Sequence, residues 1–440
     1  MIRYWKALVL LAAAGAATAA PLPLTAPDRT VGTVNCASST CHGAVEPWAQ
    51  GNVLRNEYTT WHRLDRHTKA YAVLKNEQSQ RIAQKLGFKR PAHEEKACLD
   101  CHSHNPRPEL RGERHVLAEG IGCEGCHGPA ERWIKTHVEP DATHARNVAH
   151  GLYPTDRPGA VAELCTSCHV GDRNRRVTHR MMGAGHPRLS FELDTFMLLE
   201  PPHYRVDRDW TERKGAWEPA RLWAVGQAVA ARQMVDMLVD PRTGWDGIFP
   251  ELFLFDCYAC HRRMGEDRWV PRNQVGPGRV RLNDSYLLMT VAVTRVLDPA
   301  RGAALTTAIA SLHQAASGDQ SSRDALARDG GKVAQELAAT AKWLEAVALP
   351  EKLRARVLGL LLSDATAAEF ADYAGAEQAY MAIASLVAAM GRRGEVKITS
   401  ALKAQLDRVR GTLAVDEPFA REDFRRELKA LRTTLGKVVP

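Results

Sequence analysis

Ten cysteines form five pairs, Cys36/Cys41, Cys98/Cys101, Cys123/Cys126, Cys165/Cys168 and Cys257/Cys260. A histidine follows each pair at once: His42, His102, His127, His169 and His261. Histidine makes up only 17 of the 440 residues, so its presence after every pair has a chemical cause. Cys-x-x-Cys-His is the attachment pattern of c-type haem. The two thiols form thioethers with the porphyrin, and the adjoining imidazole takes the proximal place beneath the iron. Four copies have this spacing. The first, Cys36-Ala-Ser-Ser-Thr-Cys41-His42, has four intervening residues, small enough for a wider loop to fold over the same porphyrin edge. Five covalent haems c are therefore expected, with the Cys36/Cys41 site departing from the common spacing.

Other uses of paired cysteines fit less well. Zinc sites do not require a histidine after every pair. Thioredoxin-like motifs are usually single and sit in a βαβ unit, and no strand–helix alternation is visible here. Disulfides within adjacent pairs would be strained and labile rather than structural.

A bis-histidine iron needs a second imidazole. Twelve histidines lie outside the motifs: His62, His67, His93, His104, His115, His137, His144, His150, His179, His186, His203 and His313. All but His313 precede residue 204, in the motif-bearing half. Such crowding is what a set of distal ligands would produce, with the remainder as surface or hydrogen-bonding residues. Met181 and Met182 are read as packing.

The segment Gly120-Ile-Gly-Cys-Glu-Gly-Cys-His-Gly-Pro-Ala130 resembles the third haem motif of the cytochrome c-554 family of multihaem cytochromes. Trp61 followed by His67-Thr-Lys-Ala-Tyr71 is similar to that family's Trp…His segment, and the order of the first four motifs also matches. The resemblance covers about residues 34–190. Gly183-Ala-Gly-His186-Pro-Arg-Leu-Ser-Phe191 is similar to a segment of larger relatives. The resemblance implies His137 as distal ligand of the first haem and His67 of the fourth. It offers His186 for the third or fifth haem, and His179 and His203 for what remains. It also implies an open, five-coordinate iron at His102. The wider first motif, the fifth motif at Cys257 and a long C-terminal extension depart from the family pattern.

The elements that must hold these residues are mainly α. Residues 20–281 read as a multihaem cytochrome c domain, with much irregular chain around stacked haems. A good helix is expected from Pro219 to about Val239, stopped by Asp240-Pro241. Residues 282–440 read as an all-α bundle. Its apolar stripes are Leu305, Ile309, Leu312 and Ala316; Val333, Leu337, Ala341 and Leu344; and Phe424, Leu428, Leu431 and Leu435. Pro299, Gly330-Gly331, Pro350, Gly391 and Pro418 are expected to punctuate it.

Arg3 and Lys6, the apolar run Ala7 to Ala20, and Ala17-Thr18-Ala19 predict a signal peptide over 1–19, cleaved after Ala19, and a periplasmic protein. That run is shorter than the 17–25 residues of a typical membrane span, and no later apolar run is long enough, so no transmembrane segment is expected in the mature chain. The net charge of +8 falls when Arg3 and Lys6 leave, and five haems with their propionates bring it to about +1. The basic balance therefore does not point to nucleic acid. P-loop, GxGxxG and Gly-x-Ser-x-Gly patterns are missing.

Two functions follow. One is electron transfer between periplasmic or membrane-bound redox proteins, through mostly bis-His haems. The alternative is an oxidoreductase with one open iron, at His102, taking a small nitrogen or sulfur compound, with His104 and Arg107 near it. The Cys-x-x-Cys-Lys motif typical of pentahaem nitrite reductases does not occur. Whether the chain is an enzyme stays open at this point.

Overall fold

A computed structural model describes residues 20–51, 53–244, 251–261, 279–317, 322–363, 369–370, 372–416 and 419–438. The expected signal peptide lies outside the described residues, as does Pro418. The fold is mainly α. The described residues form no strand beyond two isolated bridges, Thr30 with Arg111 and Phe255 with Leu282.

The motif-bearing part before residue 158 is built from short helices joined by irregular chain. Among them are Glu57–Leu64, Ala70–Val73, Glu77–Leu86, Lys96–His102 and Cys123–His127. A small apolar cluster, Leu74, Ala83, Ala92 and Leu99, sits there. Four such side chains bury far too little apolar surface to hold more than a hundred residues together. Something else has to fill this part, and the porphyrins that its three motifs would anchor fit that need.

Among the described residues, a second apolar core joins side chains from Val161 to Leu435. Its axis is the Pro219–Val239 helix, opened by Pro219 in its first turn and stopped at Asp240. This helix packs on Pro158–His169, Leu193–Leu199, Ser285–Leu297 and Arg323–Ala346. Its Trp223 is fully buried. The three expected stripes are all buried in the same core. The division expected at 281/282 falls inside it, because the helix that ends in the fourth motif, Pro158–His169, packs on the same axis as the C-terminal helices.

Gly330-Gly331, expected to punctuate the bundle, does not interrupt it. Both lie within the Arg323–Ala346 helix. A Cβ on Gly330 would stand 2.3 Å from Val239 Cγ1. The glycine is thus a close helix crossing, and tertiary contact outweighs its low helix propensity. His313 is buried in this core, with Nε2 3.2 Å from Asp284 Oδ2.

Candidate haem-binding centre

Each motif comes at the end of a short helical turn. Lys96–His102 and Pro158–His169 end on their motif histidines, and Cys123–His127 is itself a motif. In the fifth motif His261 N–H donates to Cys257 O at 2.8 Å. In the first, His42 N–H donates to Cys36 O at 3.2 Å. The wider loop therefore closes on the same carbonyl and brings its histidine to the equivalent place. None of the ten cysteines forms a disulfide. Replacing Cys36 and Cys41 together by alanine is expected to remove one haem from the intact mass; an unchanged haem count would mean the pair anchors none.

Every motif histidine faces one second histidine. The ring centres are 6.3 Å apart for His42 and His137, 6.4 Å for His102 and His186, and 6.2 Å for His127 and His203. They are 6.1 Å apart for His169 and His67, and 6.3 Å for His261 and His179. An imidazole–metal bond is about 2 Å; two such bonds in line, with roughly 1.2 Å from nitrogen to ring centre on each side, need centres about 6.4 Å apart. The five pairs therefore fit one iron each.

The other seven histidines have different surroundings. His62 stacks on Tyr58 and His93 meets the edge of Tyr71. His104 and His115 face each other, and Thr30 Oγ1 lies 3.1 Å from His115 Nδ1. His144 bonds Asp156, His150 bonds Thr136, and His313 meets Asp284.

Two expectations need correction. His186 stands opposite His102, not opposite the third or fifth motif, and the His102 ring therefore does not front an open face. The cause is local. Thr178 caps the His179–Ala184 helix, and Gly185 ends it in the left-handed region at φ 119°. That helix packs on Glu77–Leu86, with Gln78 donating to Gly185 O at 3.1 Å and Arg180 to Leu86 O at 2.9 Å. The turn delivers His186 beside the second motif. Nor do His104 and Arg107 line that ring: His104 is buried against His115, and Arg107 pairs with Glu109 at 3.3 Å.

The segments that carry the family resemblance lie against each other. Trp61 Nε1–H donates to Ile121 O at 3.0 Å, and Ile121 N–H donates to His67 O at 3.1 Å. Gly120, at φ 72°, is required there, since a Cβ would meet His67 O at 2.2 Å. Glu124, inside the third motif, is buried and accepts backbone N–H bonds from Val31, Gly32 and Ala130, each at 2.8 Å. It ties the approach to the first motif onto the third. Burial pushes its carboxyl up, and the three donors offset part of that. The first and third motifs are therefore neighbours. Cys168 Sγ lies 3.9 Å from Asp100 O, so the second and fourth motifs are neighbours. The fifth motif is next to the fourth: His169, Arg188, Tyr286, Glu377 and Cys257 all line one cleft.

The C-terminal helices also reach the centre. Phe191 stacks on His169 at 5.0 Å. Its carbonyl accepts from Tyr286 OH at 3.0 Å and Gln378 Nε2 at 2.9 Å.

Ring orientation is set at Nδ1. His42 Nδ1 lies 3.0 Å from Glu57 Oε2, and His67 Nδ1 lies 3.0 Å from Asp65 Oδ1. His102, His137 and His186 use the carbonyls of Ala70, Trp133 and Pro187. A carboxylate or carbonyl only accepts here, so Nδ1 carries a proton and Nε2 is the atom left for the iron. Burial lowers His127 and His169 to about 4, keeping both rings neutral, the form that binds metal. For His67 burial also disfavours charge, but the bonds to Asp65 and Glu200 outweigh it and hold the free ring up at about 10. Glu57 and Asp65 escape sequence reading. The one available signal is an acid two residues before His67.

Residues 35–128 match the family model described as cytochrome c554 and c-prime. Those residues belong to that family. The chain is accordingly a c-type cytochrome that binds haem c covalently and works in electron transfer. The match includes the first three motifs, together with Trp61 and His67. No curated protein and no solved structure matches the chain. Among the described residues, no helix is long and apolar enough to cross a membrane.

Proposed function

We propose that this cytochrome passes electrons between redox partners through five covalent haems, each iron held between a motif histidine and one second histidine. The observation that carries this reading is the five histidine pairs at 6.1–6.4 Å. The haem supplies the one-electron ferric–ferrous couple. The chain's part is to anchor, orient and space. The cysteines would hold each porphyrin edge, the Nδ1 partners of five rings aim their Nε2 atoms, and the packing of motif one on three, and of two on four, keeps those sites in close pairs. Cys41 and Cys260 are exposed where the other eight are half-buried, so the first and fifth haems are the natural points of exchange with partners.

The N-terminal pattern supports work in the periplasm, with periplasmic or membrane-bound redox proteins as partners. A catalytic reading needs an open iron, and His186 opposite His102 argues against one there. The test is the spectrum of the purified protein with nitrite, cyanide or nitric oxide added. Electron transfer alone predicts no change; a new ligand band would favour an oxidoreductase acting on a small nitrogen or sulfur compound.

A further inference from the structure

Of the iron-facing imidazoles whose Nδ1 partners are defined, three bond a neutral carbonyl and two bond a carboxylate. Glu57 opens the Glu57–Leu64 helix. One of its oxygens takes His42 Nδ1–H at 3.0 Å, and the other accepts Leu54 N–H at 2.9 Å. Both oxygens are occupied, so the group cannot swing away. Asp65 caps the turn Arg66–Lys69, and its Oδ1 accepts from both the backbone N–H of His67, at 2.8 Å, and its Nδ1–H, at 3.0 Å. Glu200 adds a second acid 3.7 Å from the same Nδ1. By contrast, both rings facing each other at the second motif use carbonyls, Ala70 O at 3.0 Å and Pro187 O at 2.8 Å.

We infer that Glu57 and Asp65 are potential-setting residues, holding the first and fourth haems at lower potential than the second. The inference rests on the bis-histidine reading above. A charged acceptor at Nδ1–H bonds more strongly than a neutral one and makes Nε2 a stronger donor. A richer donor and a nearby negative charge both favour the ferric over the ferrous state. The second and fourth motifs are neighbours, with Cys168 Sγ 3.9 Å from Asp100 O.

The test uses the full-length holoprotein with Glu57→Gln and, separately, Asp65→Asn, followed by optical redox titration. Asn still accepts the His67 N–H, so the turn keeps its cap. Each variant is expected to raise the midpoint of one haem, a different one in each. The reduced-to-oxidised ratio at fixed potential should rise on the order of tenfold, or about 59 mV for a one-electron couple. The ferric spectrum should stay low-spin in both. Glu57→Asp, which keeps the charge, should shift the curve less than Glu57→Gln. Titration curves identical to wild type, with all iron low-spin, would overturn the inference. High-spin iron already present in the wild type would instead overturn the reading beneath it.

Discussion

Replacing His186 by alanine is expected to turn about one iron in five high-spin and open it to cyanide and nitric oxide. The residue lies only partly buried, after the left-handed turn at Gly185, and its ring makes few structural contacts beyond the carbonyl of Pro187. The change should therefore leave the helical content and the other four haems as they are. It would create at His102 the open iron that the family resemblance implies and the fold closes. A variant whose ferric spectrum matched the wild type would show that His186 does not share an iron with His102.

A second large effect is expected at Trp223. Its side chain is fully buried in the Pro219–Val239 helix, the axis shared by the fourth motif's helix and the C-terminal helices. Truncation to alanine removes packing on all sides and should cost about 3–5 kcal/mol. Because one core runs from Val161 to Leu435, the denaturant midpoint should fall together for helical circular dichroism and for the haem absorption band. If the helical signal moved while the haem band did not, the bundle and the motif-bearing part would be independent domains.

The motif residues are legible in sequence because attachment chemistry is local: two thiols and an imidazole act within five to seven positions. The buried stripes are legible for the same reason, since helical periodicity is a property of neighbours. The opposing histidines are not local. His186 reaches His102 only because a capped helix turns at Gly185 and packs on Glu77–Leu86. Residue types alone cannot choose among the third, fifth and second motifs. Gly330-Gly331 reads as a break because glycine disfavours helix, yet the crossing with Val239 needs a residue without a side chain. Glu57 and Asp65 are ordinary acids in a chain where a quarter of residues are charged, and only the fold aims them at imidazoles.

The account's central claim is that every motif histidine shares one iron with a second histidine. Low-temperature electron paramagnetic resonance of the fully ferric protein, integrated against its total iron, tests this most directly. Five low-spin irons per chain and no high-spin signal are predicted. A high-spin signal worth one iron per chain would contradict it.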